Sequence, residues 1–351
     1  MLKKILVGTS LMFLCLLSIS AQAPSIIISL ETEHFLFGQT TWAKYVISNP
    51  TKTPIYIGGI QEKSGYFSLL QWEAKAFYPD GKEVPQHSGG EMVIGTRPTP
   101  KKMLGNGEQV TWSQPVPVTD VKIDKLPAGE YTLIFYLKYS LKEEPGVFEK
   151  ETQASATFHI DNPAGADAAW LQYVANAKKA LLKEHPERTA LSQPLGWGDV
   201  INCGFCPHGY DIRPELLQKY PTSTYAAYVL AKKIPDYSNP LFKPVTPSLQ
   251  VKMARDEGRT VISFEDKDFE SYFQKLDAAG KAGNIPQPIR SSFYCFYGDL
   301  LVQRGRFNEA ERAFKMAIEP EPQTNGKEKV YYERAKQFLE ALQSNGEKEV
   351  K

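Results

Sequence analysis

The first half of the chain has the hydrophobic pattern of β-strands. From about Pro24 to Asp161, short runs of alternating apolar and polar residues are separated by Pro, Gly and Asn. An alternation with a period of two is typical of half-buried strands. The runs that fit are Ser25–Leu30, Thr41–Ser48, Pro54–Ile57, Phe67–Tyr78, Gln109–Gln114, Tyr131–Tyr139 and Ser155–Ile160. Short strands at this density, without helical periodicity, predict an antiparallel β-sandwich over residues 24–161.

The pattern becomes helical after the segment DNPAG at residues 161–165, which interrupts the alternation. Apolar residues then recur at steps of three and four, at Trp170, Leu171, Val174, Ala177 and Leu181. This spacing places them on one face of an α-helix. We therefore expect a multidomain chain that is β first and then α, with the sandwich at 24–161 and a helical domain at 162–351.

Residues 291–324, SSFYCFYGDLLVQRGRFNEAERAFKMAIEPEPQT, have a spacing of small and large residues that suits two packed helices. Gly298 falls where a larger side chain would push the helices apart. Gly305 falls at the turn between them, where a positive φ costs glycine little. Pro322 is expected to stop the second helix. The positions that carry this packing are Gly298, Gly305, Phe307, Ala310, Phe314, Ala317 and Pro322.

This stretch closely resembles the tetratricopeptide repeat, a helical hairpin of about 34 residues. A weaker resemblance covers residues 214–231, where Tyr220-Pro221 would end one helix and a Ser or Thr would cap the next. Residues 328–342 are expected to form a polar, solvent-facing helix that caps the array. Because the complete repeat covers only 291–324, the resemblance implies an irregular domain of helical hairpins that holds a protein or peptide partner.

The segment LPAGEY, which ends at Tyr131, leads into a long predicted strand. It resembles the tyrosine corner of immunoglobulin-like and fibronectin-type domains. In that corner, the tyrosine hydroxyl bonds to the backbone of the preceding loop and fixes the turn between strands. The resemblance implies an immunoglobulin-like sandwich and gives Tyr131 this role. An ordinary core tyrosine after a Pro-Gly turn is the alternative.

Residues 1–23 have the parts of a cleaved secretory signal. Lys3 and Lys4 are followed by an apolar run from Ile5 to about Leu17 and by small residues before Ala23. The run is short for a membrane-spanning helix, which needs about 20 residues, and no later run is long enough. We therefore expect an exported protein, periplasmic or extracellular, with no membrane span after signal cleavage.

Composition narrows the possible partners. Since 41 basic and 40 acidic residues give a formal net charge of +1, loss of Lys3 and Lys4 would leave −1. A near-neutral chain gains little from attraction to nucleic acid, so no nucleic-acid partner is expected. The sequence contains no nucleophile elbow, phosphate-binding Gly-Lys loop or paired-histidine motif. We accordingly predict no cofactor, no metal and no catalytic residue.

The segment at residues 195–210, LGWGDVINCGFCPHGY, has the most unusual composition of the chain. Cys203 and Cys206 could form a redox-active pair, or could bind zinc with His208 and the distant Cys295. Covalent haem attachment is disfavoured because Pro207 stands where a histidine is required. Export favours a local disulfide between Cys203 and Cys206, or plain loop cysteines. Cys295 is expected to be a small buried apolar residue.

These observations favour an exported, non-enzymatic protein that binds or scaffolds other proteins in the bacterial envelope. Two alternatives stay open. One is a thiol- or metal-dependent enzyme centred on Cys203, Cys206 and His208. The other is a carbohydrate- or surface-binding module carried on a helical support.

Overall fold

The computed structural model describes residues 23–58, 72–85, 101–118, 121–143, 148–201, 213–237, 244–256, 267–278, 280, 285–319, 321–322 and 327–346. The predicted signal segment lies outside these residues except for Ala23. The first five residues of the predicted strand at Phe67–Tyr78 also lie outside them.

The first half of the described chain is built from strands. They are β1 (Ser25–Leu30), β2 (His34–Leu36), β3 (Trp42–Ser48), β4 (Ile55–Gly58), β5 (Trp72–Phe77), β6 (Lys101–Leu104), β7 (Gln109–Pro115), β8 (Gly129–Ser140) and β9 (Lys150–Asp161). The hydrophobic pattern did not predict β2 and β6, which are three and four residues long.

Within the described residues the strands form two sheets. One has three strands in the order β1-β3-β7, and the other has six strands in the order β2-β9-β8-β4-β6, with β5 also paired to β8. β2 is parallel to β9, with His34 opposite His159, so the larger sheet is mixed. The prediction of a purely antiparallel fold is therefore wrong at this pair. Parallel strands need a long connection, and the rest of the strand-rich half provides it here.

Side chains from both sheets meet in one core. In β3, Ala43, Tyr45 and Ile47 are fully buried, which follows from the alternation along the strand. The ring of Tyr45 lies 4.7 Å from the ring of Phe135 in the other sheet. The Tyr45 hydroxyl accepts a hydrogen bond of 3.2 Å from the Gln114 amide, so this buried polar group is satisfied.

The second half is built from helices, so the predicted order of a strand-rich half followed by a helical half is confirmed. The helices are α1 (Gly165–Glu184), α2 (Thr189–Ser192), α3 (Trp197–Ile201), α4 (Arg213–Lys219), α5 (Thr224–Ala231), α6 (Pro247–Asp256), α7 (Lys267–Ala278), α8 (Arg290–Gln303), α9 (Phe307–Ala317) and α10 (Lys327–Gly346). Across the residues that the structure describes, none of these helices combines the length and the apolar character that crossing a membrane requires.

The two halves are joined by hydrogen bonds around a loop of the first half. The Tyr225 hydroxyl, at the start of α5, donates to the Phe37 carbonyl at 2.6 Å. The Gln39 amide donates to the Thr224 hydroxyl at 2.8 Å. Since Tyr225 is buried and Gln39 is nearly so, these bonds are protected from water. We call this contact region between the halves the joint.

The N-terminal end of α5 is also fixed to α1 at the joint. One oxygen of the Asp167 carboxylate accepts from the Ser223 hydroxyl at 2.6 Å and from the Thr224 N–H at 2.8 Å. The Ser223 hydroxyl in turn accepts from the Tyr225 N–H at 3.2 Å and caps the helix. The cap that the sequence predicted after Tyr220-Pro221 therefore also holds two helices together.

The segment Leu195–Ile201 fills the joint. Leu195, Val200 and Ile201 are buried, and the Ile123 N–H donates to the Leu195 carbonyl at 2.9 Å. Gly38 faces this segment with a φ of +93°, and a Cβ atom there would lie 3.0 Å from Val200 Cβ. The described part of the segment 195–210 thus packs between the halves, and we call it the plug.

A buried ion pair fixes this plug to α1. The Lys178 ammonium donates to Asp199 Oδ2 at 2.8 Å, with the two side chains only 7% and 13% exposed. The same carboxylate oxygen accepts from the Gly196 N–H at 2.8 Å. Buried charges require such compensation, because removal from water is costly for each ion alone. The pair therefore makes the position of the plug depend on both residues.

Candidate interaction site

The structure brings most of the predicted repeat residues together in the hairpin of α8 and α9. Ala310, Phe314 and Ala317 are buried, and Phe307 is partly buried. Gly305 has a φ of +70° in the turn between the helices. A Cβ atom on Gly298 would lie 2.5 Å from the Phe314 ring, so only glycine fits at that position.

Two features at the end of the hairpin differ from what the sequence predicts. Helix α9 ends at Ala317, before Pro322 is reached, so Pro322 does not itself stop the helix. The Ile318 N–H bonds to the Lys315 carbonyl and tightens the last turn instead. The closing helix, α10, is not polar all round, because Tyr331 and Phe338 are buried against the hairpin.

Replacement of Gly298 tests the close packing of this hairpin. Phe314 cannot move away easily, since its ring is stacked on Phe338 with 4.5 Å between the centroids. We expect Gly298→Ala to lower the free energy of unfolding by about 1–3 kcal/mol. Urea denaturation measures the change. In the matched control Gly105→Ala, the new Cβ would meet nothing closer than 3.5 Å, and stability should stay within about 1 kcal/mol of wild type. Equal effects of the two variants would contradict the packing argument.

The other predicted site residues lie apart from the hairpin. The Tyr131 hydroxyl donates to the Pro127 carbonyl at 2.5 Å, four residues upstream in the preceding loop. Cys203, Cys206 and His208 lie outside the described residues. Cys295 is fully buried in α8, and burial raises the pKa of its thiol well above the usual value.

A groove lies between α4, α5 and α7, on the helical half of the protein. Its volume is about 610 Å³, which is within the usual range of ligand pockets of ~300–1,000 Å³. The lining residues are Arg213, Pro214, Leu217, Gln218, Val229, Lys232, Lys233, Ser271, Tyr272 and Lys275. The groove therefore combines cationic side chains with an apolar floor.

The walls of the groove are anchored in the core. Helix α5 has the sequence TYAAYVLA, and all of its residues after Thr224 are buried. Helix α7 buries one face, where the Phe273 ring stacks on Tyr297 of α8 at 3.8 Å and the Phe269 ring lies 5.0 Å from Phe293. Its opposite face carries Lys275. Since the walls formed by α5 and α7 are fixed by packing, the groove is a preformed feature of the fold.

The groove has a positive electrostatic character. Within the described lining there are four cationic side chains and no carboxylate. Lys232 is exposed as a residue, but partial desolvation and then the like charge of Arg213 lower the pKa of its ammonium group. The Lys275 ammonium donates to the Leu217 carbonyl at 3.3 Å and so links α7 to α4. A group with negative charge would relieve the repulsion between Arg213 and Lys232.

The sequence gives little indication of this groove. Its cations are Arg213 on α4, Lys232 and Lys233 after α5, and Lys275 on α7, and only the Lys232-Lys233 pair is a local sequence signal. A pair of adjacent lysines is common on solvated surfaces, so it could not by itself indicate a site.

Two buried carboxylates lie where the sheet half meets α5 and α10. Glu31 is 9% exposed, and neither of its carboxylate oxygens has a hydrogen-bond partner in the described structure. Burial, and then the charge of Glu328, raise the pKa of Glu31 to about 8. Burial likewise raises the pKa of Glu328 to about 7, although Glu328 accepts from the Ser292 N–H at 2.9 Å.

Two neighbouring residues, Tyr228 and Lys327, interact with these carboxylates. Tyr228 of α5 is buried beside both, and burial and their charges raise the pKa of its hydroxyl. The Lys327 ammonium is directed to the Ala231 and Ile234 carbonyls at 3.2 and 2.8 Å. Its positive charge lowers the pKa of Glu328 less than burial raises it. Burial is therefore the dominant effect, and it raises the pKa of both carboxyl groups.

Comparisons with known proteins add little to this description. No family model matches the chain, and no curated protein matches it. A similar solved structure is that of Spo0M, a sporulation control protein from Bacillus subtilis, with 13% sequence identity and a TM-score of 0.25. The match covers 45% of this chain and spans 56% of the length of that protein. A similarity at this level carries no argument about fold or function.

Proposed function

We propose that this chain is an exported, non-enzymatic protein that binds or scaffolds partner proteins in the bacterial envelope. The observation that carries the proposal is the preformed groove between α4, α5 and α7, which offers cations, an apolar floor and the polar groups of Gln218 and Ser271. Such a lining suits recognition of a polypeptide, because side chains and backbone groups can both be matched.

The proposal includes the architecture of the two halves. For an immunoglobulin-like sandwich, the supporting observations are the core shared by two sheets and the bond from Tyr131 to the Pro127 carbonyl. For a tetratricopeptide-like helical domain, they are the hairpin of α8 and α9 and the contact of Gly298 with Phe314. Export and the envelope location rest on the predicted signal segment at residues 1–23.

Site-specific photocrosslinking tests the proposed function. A photoreactive residue in place of Gln218 lies in the groove, and one in place of Gln172 lies on an exposed position of α1. We expect a discrete protein adduct from the groove position alone, and we expect the purified partner to rebind the full chain. Identical adducts from both positions, or none from the groove, would exclude this surface as the partner site.

A further inference from the structure

We propose that the groove between α4, α5 and α7 binds a short acidic segment, rich in Asp or Glu and containing apolar residues, from a partner protein. This inference rests on the proposed function, and it adds the chemistry of the bound segment. Lys232 and Lys275 are the groups expected to contact the carboxylates.

The charge of the groove selects an anionic segment. Lys232 follows α5 and Lys275 lies on α7, so the two ammonium groups come from different walls of the groove. The charge of Arg213 also acts on Lys232. Carboxylates placed between the walls would be attracted by both lysines at once, and a basic segment would be repelled.

The floor of the groove selects apolar residues between the acidic ones. Pro214 and Leu217 contribute apolar surface to the lining, and the buried Val229 lies beneath it. The Gln218 amide and the Ser271 hydroxyl can bond to the backbone of an extended chain. A segment of a few residues with alternating acidic and apolar side chains would therefore match both features.

A protein segment fits the groove better than a polyanion such as nucleic acid or an anionic polysaccharide. The chain has a formal net charge of +1, or −1 without Lys3 and Lys4, so its net charge gives no long-range attraction of a polyanion. Single-stranded nucleic acid also needs exposed aromatic faces for stacking. Tyr272, the aromatic residue in the described lining, is only 4% exposed and offers no such face.

An arrayed heptapeptide library of varied charge, probed with the full-length protein, tests this inference. We expect the retained peptides to be enriched in Asp and Glu together with apolar residues, and binding to weaken as salt is added. The double variant Lys232→Glu/Lys275→Glu should lose binding by about tenfold or more. The matched double variant Lys179→Glu/Lys183→Glu, on exposed positions of α1, should bind as wild type does. Circular dichroism checks that both variants are folded.

The outcomes separate this inference from the proposed function. Retained peptides without acidic enrichment, or unchanged binding by the groove variant, would overturn the inference that the bound segment is acidic. A crosslinked adduct at Gln218 would still support protein binding in that case. If no peptide of any charge is retained and Gln218 gives no adduct, both the assignment and the proposed function fail. Retention of acidic peptides that lack apolar residues as strongly as mixed ones would overturn the role of the floor.

Discussion

Lys178→Met is expected to destabilise the protein by about 3–5 kcal/mol, because it removes the cation that is paired with the buried Asp199 carboxylate. The two side chains are almost completely enclosed, and their 2.8 Å contact connects α1 to the plug at Leu195–Ile201. Methionine keeps the length of the lysine stem, so the loss of packing is small. The free energy of unfolding from urea denaturation gives the effect.

Two further variants isolate the charge effect. Lys178→Met/Asp199→Asn removes both charges and keeps an oxygen for the Gly196 N–H, so it should be more stable than the single variant. Lys179→Met changes an exposed neighbour and should stay within about 0.5 kcal/mol of wild type. If Lys178→Met were no less stable than Lys179→Met, the pair would have no structural role.

Glu31→Gln is expected to stabilise the protein at alkaline pH and to leave it unchanged in acid. Glu31 has a pKa of about 8 in the folded protein against 4.5 in the unfolded chain, so the folded state binds more protons between these values. The stability that this group contributes is therefore complete below 4.5 and is lost as pH rises toward 8. Glutamine stays neutral throughout and avoids the loss, which is on the order of a few kcal/mol.

Thermal unfolding across this pH range measures the effect. The difference in Tm between Glu31→Gln and wild type should grow from near zero below pH 4.5 to a plateau above pH 8. Glu33→Gln changes an exposed carboxylate in the same loop and should show no such growth. A constant difference for Glu31→Gln across the range would mean that folding does not raise the pKa of Glu31. The raised pKa of Glu328 also lowers the stability of the folded protein as pH rises. Both the wild type and Glu31→Gln share this fall.

Much of the fold was predictable because its causes are local. The period of two in segments such as Thr41–Ser48 and the steps of three and four after Gly165 depend on neighbouring residues alone. They located the change from strands to helices, which the structure places between the end of β9 at Asp161 and the start of α1 at Gly165. The spacing of Gly298 and Gly305 likewise anticipates a helical hairpin, and α8 and α9 form one.

The candidate site could not be predicted in the same way. Arg213 lies on α4, Lys232 follows α5 and Lys275 lies on α7, so their proximity depends on how these three helices pack. The parallel pairing of β2 with β9 also joins segments from opposite ends of the strand-rich half. Pairings over such sequence distances leave no periodic pattern to recognise.

The sequence by itself therefore determined the two kinds of secondary structure, their order and the close contact inside one hairpin, since each follows from residue size and polarity along a short stretch. Tertiary structure alone decided that the halves share a joint, that Glu31 and Lys178 are buried there, and that a cationic groove opens on the helical half. The physical reason is that burial and electrostatic environment are properties of side chains brought together from distant segments.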